Sequence, residues 1–164
     1  MKLQLLCGGL TGLLMLSAAC TAHAPTEQAA KPPVAHADPA MAGALAAVEQ
    51  FSAALKAGNL ERAGGLLADD VLILESGGAE HTRQEYLGGH ARHDAAFLKD
   101  ARITIRQRTG RVDGDHAWVG TESDLATTTN GVPTTLSSSE TMVLKRSARM
   151  WHIVHIHWSS GARH

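Results

Sequence analysis

The chain has 164 residues, with 15 Lys and Arg set against 16 Asp and Glu, for a net charge of −1 when histidine is neutral. That balance lacks the basic excess that nucleic-acid backbone binding requires, so no nucleic-acid partner is expected. The two cysteines, Cys7 and Cys20, both fall at the start, so the remainder holds neither a disulfide nor a thiolate metal site.

Met1–Lys2 gives a positive start, and an apolar run from Leu3 to Leu16 follows. The run is shorter than the roughly 20 apolar residues that span a bilayer. Small residues Ser17, Ala18 and Ala19 then lead to Cys20, which is the layout of a bacterial export signal. Ser-Ala-Ala-Cys fits a loose lipobox with Cys20 as the lipidated residue, although Leu16 sits one position earlier than the usual large residue. The rival is cleavage after Ala22-His23-Ala24, which the following Pro25 disfavours. The expected plan is an export signal over 1–20, a flexible Pro- and Ala-rich tether over 21–39, and one folded domain over 40–161. Such a protein is exported to the periplasm and meets the membrane only through its lipid.

In the domain, Leu45, Val48, Phe51 and Leu55 recur at helical spacing, which predicts a helix over 40–57 ended by Gly58. Asn59 caps a short helix over 60–67. Val71–Leu74 is an apolar strand, ended by Ser76-Gly77-Gly78. Thr82 with Glu85 makes a capping box that opens a third helix over 83–99. Period-two patterning then predicts four strands: 102–106, 116–125, 135–146 and 150–159. Asp113-Gly114 and Asn130-Gly131 mark turns between them. Helices early and strands late give an α+β fold, a curved, mainly antiparallel sheet wrapped on three helices as a half-cone.

This order resembles the nuclear transport factor 2-like (SnoaL-like) superfamily. The resemblance is carried by Ala47–Phe51 with Lys56–Glu61, by the helix-to-strand junction Leu67–Val71, and by the closing strand Trp151–Ser159. That last segment is also similar to the end of the calmodulin-dependent kinase II association domain. The resemblance implies the cone fold but no single reaction, because the fold hosts enzymes, binding domains and oligomerisation modules. Ketosteroid isomerase-like sites need a carboxylate base with a Tyr and Asp oxyanion pair. The sole Tyr here, Tyr86, lies in the third predicted helix and does not match.

Ten histidines are present; setting aside His23, His36 and the terminal His164 leaves seven in the domain. Strict strand alternation puts Trp151, Ile153, His155 and His157 on one face, with His155 and His157 about 7 Å apart. His90 and Asp94 share a helix face. With the strand-end acid Glu75 and with Glu140, these residues make up the expected pocket: His90, Asp94, Glu75, Glu140, Trp151, His155 and His157. Histidines satisfied in the core or on the surface are the bland alternative. Arg106 and Arg108 are expected to share a solvated strand face.

Four readings follow. A small-molecule-binding domain comes first. An acid–base enzyme of isomerase, dehydratase or hydrolase type comes second. In the third, His90, His155 and His157 with one of Asp94, Glu75 or Glu140 hold Zn²⁺ or Cu²⁺. The fourth is a pure oligomerisation module that uses the exposed sheet face. A homodimer is expected through an uncovered sheet face bearing His152, Val154, Ile156 and Trp158.

Overall fold

The computed structural model describes residues 39–129 and 131–162. Cys20, the export signal and nearly all of the expected tether lie outside these residues.

Helix α1, Pro39–Lys56, buries Met41, Ala44, Val48, Phe51 and Leu55, a stripe spaced by three and four residues. Gly58, with φ of 70°, ends it in a conformation that other residues resist. Helix α2, Leu60–Gly64, is capped by the Asn59 side chain, which accepts the Arg62 N–H. Strand β1, Leu67–Glu75, and strand β2, Gly78–Glu80, form a hairpin. Thr82 caps α3, Arg83–Gly88, by accepting the Glu85 N–H, while Glu85 accepts the His81 N–H. Helix α4 is His90–Asp100. The third predicted helix is therefore two helices, because Gly88-Gly89 gives up helical geometry there, with Gly89 at φ −132°.

The remaining strands are β3 (Arg102–Asp113), β4 (His116–Thr129), β5 (Val132–Ser147) and β6 (Met150–Ala162). Each runs longer than its periodicity alone suggested, and the short β2 left no sequence signal. The sheet order is β2-β1-β6-β5-β4-β3, antiparallel throughout except for the parallel β1–β6 pair. The α+β sheet-and-helix architecture matches the expectation. Its core joins the α1 stripe to Val71, Ile73, Val119, Met142, Leu144, Ile153 and Ile156, all fully buried.

Two β-bulges decide which side chains face that core. In β6, Ile153 pairs with Leu144 but His155 pairs with Val143, so Val154 is an extra residue. The alternation inverts there: Trp151 and Ile153, then Ile156 and Trp158, point inward. His155 and His157 go to the outer face, opposite Val143 and Thr141. In β3, Ile105 pairs with Ser123 and Gln107 with Glu122, which leaves Arg106 as the extra residue. Arg106 faces out toward Asp124 at 3.2 Å, whereas Arg108 faces in beside Thr121.

Three expectations are corrected by these shifts. His155 and His157 do not share the face of Trp151 and Ile153. Ile156 and Trp158 do not belong to the uncovered face. Arg106 and Arg108 do not share one.

Candidate functional site

Between the helices and the concave sheet lies a cavity of about 470 Å³. Its apolar wall comes from Phe51 and Leu55 of α1, Phe97 and Leu98 of α4, and Ile103, Ile105 and Leu125 of the sheet. Trp158 stacks on Phe51 with ring centres 6.4 Å apart. Phe97 and Ile105 stay 41% and 49% exposed, which a cavity open to solvent on that side explains. Polar groups on the concave strand faces enter the same space: Arg108, Thr121, Ser123, Ser138 and Glu140.

Glu140 is held from two sides. The Trp158 indole Nε1 donates to its Oε2 at 2.8 Å. Burial raises its carboxyl above the ordinary value, partly countered by the Trp158 bond, the Arg108 charge and a Thr121 bond. Arg108 is anchored in turn: its Nε donates to Thr121 at 3.1 Å and its Nη1 lies 3.2 Å from Glu49 Oε1.

Asp94 forms a second polar point. The fully buried Tyr86 donates its hydroxyl to Asp94 Oδ2 at 2.8 Å. Burial raises Asp94, while the Tyr86 bond and His90 pull the other way. Tyr86 itself is pushed far up, by burial first and then by Asp94. Its hydroxyl thus positions Asp94 and does not reach the cavity. Glu75, at the end of β1, is raised by burial and then by repulsion from Asp94.

His90 stands beside this group. Its Nδ1 is bonded to Glu80 and lies 3.0 Å from Glu75 Oε1. The Glu80 bond raises the imidazole.

Of the expected pocket residues, Glu75, Asp94 and Glu140 line the cavity. His90 lies next to Glu75, outside the lining. Trp151 packs against Gly43 of α1, where an added Cβ would meet its Nε1 at 3.0 Å, and Arg146 covers its ring at 5.3 Å. His155 is on the outer face with Nδ1 2.8 Å from the Leu72 carbonyl oxygen, and His157 is exposed there. A shared metal site of His90, His155 and His157 is therefore overturned: the Val154 bulge sends the strand histidines to the far side of the sheet. Sequence reasoning missed Arg108 and Trp158, which the bulges bring inward, and Thr121, which shares the inward face of β4 with Ala117 and Val119. It also missed Glu80, whose short strand has no periodicity to read.

Residues 44–163 match the SnoaL-like domain family. A candidate ketosteroid isomerase from Shewanella frigidimarina NCIMB 400 is 35% identical. It superposes with a TM-score of 0.69, covering 71% of this chain and 94% of its own. Two further solved structures share the fold. A candidate calcium/calmodulin-dependent protein kinase II association domain from Xanthomonas campestris is 24% identical with a TM-score of 0.58, over 71% of this chain and 85% of its own. A protein with a cystatin-like fold from Caulobacter vibrioides is 15% identical with a TM-score of 0.63, over 74% of this chain and 89% of its own. No protein of curated function matches the sequence.

Proposed function

We propose that this protein, which belongs to the SnoaL-like domain family, binds a small and largely apolar molecule in its cone cavity. The observation that carries this is a cavity, open to solvent on one side, with an apolar wall and a few convergent polar groups, the usual make-up of a small-molecule site. Glu140 and Asp94 supply the orientation. Each is raised by burial and held by a neighbouring donor, so each presents a fixed oxygen that accepts from a ligand hydroxyl or, when protonated, donates to a ligand carbonyl. A fused-ring ketone or alcohol has the right balance of apolar body and single polar group. A panel of such compounds, followed through Trp158 fluorescence, tests the reading. Ser123→Phe should fill the cavity and abolish binding. Unchanged binding in a folded Ser123→Phe protein would place the ligand elsewhere.

The second reading is an acid–base enzyme of isomerase type. It is favoured by three carboxyls, Glu75, Asp94 and Glu140, each raised above its ordinary value by burial beside one apolar cavity, which is how proton donors and acceptors are tuned. The designation of the Shewanella relative points the same way. Deuterium exchange α to a ring ketone measures it. Exchange that survives both Asp94→Asn and Glu140→Gln would exclude these groups as the base.

Export with lipid anchoring at Cys20 belongs to the same proposal. Cys20→Ala should move the protein from the membrane fraction to the soluble one. A homodimer through the outer sheet face is proposed on the exposure of Trp118, 42%, beside partly buried Val143, and on neighbours that include a hub domain. Sedimentation of a monomer at micromolar concentration would rule it out.

A further inference from the structure

We propose that Glu75, Glu80 and His90 form a site for a divalent first-row metal cation, Zn²⁺ being the representative case, at the rim of the cavity. The residues come from three elements. Glu75 ends β1, Glu80 ends β2 and His90 opens α4, so the β1–β2 hairpin carries two carboxylates to the imidazole. One donor atom from each lies within 4.8 Å of the others. Donors bound to one zinc at 2.0–2.2 Å stand roughly 3.3–3.6 Å apart in a tetrahedral site. The 3.0 Å between His90 Nδ1 and Glu75 Oε1 is a few tenths of an ångström short of that spacing, a gap that small side-chain rotations open.

A second observation points to a cation and not merely to an acidic cluster. The Glu80 side chain is only 7% exposed, and its Oε2 is buried with no hydrogen-bond partner among the described residues. Glu75 Oε1 is buried as well, and the cationic partner shown for it is the same His90 Nδ1 that Glu80 engages. A buried carboxylate oxygen without a donor costs about 1–3 kcal/mol or more. His90 cannot satisfy both acids: Nδ1 carries one proton, and the ring contributes at most one positive charge. Two carboxylates already exceed that, and Asp94 adds its own repulsion to Glu75. A dication bonded to His90 Nδ1, Glu75 and Glu80 answers the excess negative charge and the unsatisfied Glu80 carboxylate together. One imidazole with two carboxylates suits borderline first-row metals better than soft ones. Glu75 also lines the cavity, so the ion would sit where a ligand could reach it.

This site does not depend on the small-molecule reading. The test is titration of the full chain with Co²⁺, an optical stand-in for Zn²⁺. The parent should show d–d absorption saturating at one equivalent, without a thiolate charge-transfer band, which excludes Cys7 and Cys20 as ligands. Glu80→Gln, which keeps the side-chain volume, and His90→Ala, at a half-exposed position, should each weaken uptake at least about tenfold, since even outer-shell partners of metal ligands are worth 10–100-fold. His155→Ala and His157→Ala should bind as the parent does. The proposal is overturned if the parent takes up no Co²⁺, if a thiolate band accounts for the uptake, or if Glu80→Gln and His90→Ala bind like the parent.

Discussion

Trp158 and Glu140 stand opposite each other in register across β6 and β5, and the indole Nε1 donates to Glu140 Oε2 at 2.8 Å. Trp158 faces the cavity because Val154 bulges out of β6 four residues earlier, whereas Glu140 follows the unbroken alternation of β5 with the inward Met142 and Leu144.

Trp158→Phe keeps a ring against Phe51 but deletes the donor. A carboxylate left short of a partner should cost about 1–3 kcal/mol, read as a lower urea midpoint at pH 7. The same change removes a bond that favours the ionised acid, so the Glu140 carboxyl should rise further. An unchanged midpoint would mean that the bond contributes nothing to the folded state.

The cavity acids set a pH dependence of definite sign. Burial raises Glu75, Asp94 and Glu140, and the Glu80 bond raises His90. In every case the folded state holds its proton more tightly than the unfolded chain. Each contribution is therefore complete below the unfolded value and is lost as pH rises through the folded one. For Asp94 the decline starts near the ordinary 3.8. Melting temperature should fall as pH climbs from there, and Asp94→Asn, which cannot ionise, should flatten part of that slope. Parallel pH profiles for the two proteins would contradict burial of Asp94 as a cause.

Deleting Val154 restores strict alternation in β6 and drives either the Ile156–Trp158 side or the Trp151–Ile153 side out of the core. No cooperative unfolding transition should remain. His157→Ala, at an exposed outer position, should stay within about 0.5 kcal/mol of the parent. A folded Val154 deletion would show that the bulge is dispensable.

Gly110→Ala should also destabilise. A Cβ there would lie 2.5 Å from Met41 Cε and 2.7 Å from the Trp118 carbonyl oxygen. The methionine tip can turn away but the backbone oxygen cannot, so overpacking of about 1–3 kcal/mol is expected. Thermal unfolding measures it, and a loss below about 0.5 kcal/mol would show that the strand pair shifts freely.

Much of the fold was legible in the chain. The Leu45–Val48–Phe51–Leu55 spacing, the Asn59 and Thr82 caps and the Asp113-Gly114 turn are local signals, and local sterics and hydrogen bonding are enough to act on them. The acids Glu75, Asp94 and Glu140 could be singled out because carboxyls beside apolar runs stand out by type alone. The histidine site could not be read, because a single inserted residue, Val154, reverses every later side chain while leaving the period-two pattern on either side intact. Whether a strand bulges is settled by its partners: Leu144 and Met142 must pack inward against α1, and β6 meets that demand by placing Ile153 and Ile156 opposite them. Glu80 and His90 likewise meet only through the β1–β2 hairpin and the break at Gly88-Gly89, contacts between elements that no local pattern encodes. Sequence alone determined the kinds of chemistry available and the elements that carry them. Tertiary packing decided which of those groups share a face, because burying the apolar surface outweighs the cost of one bulge.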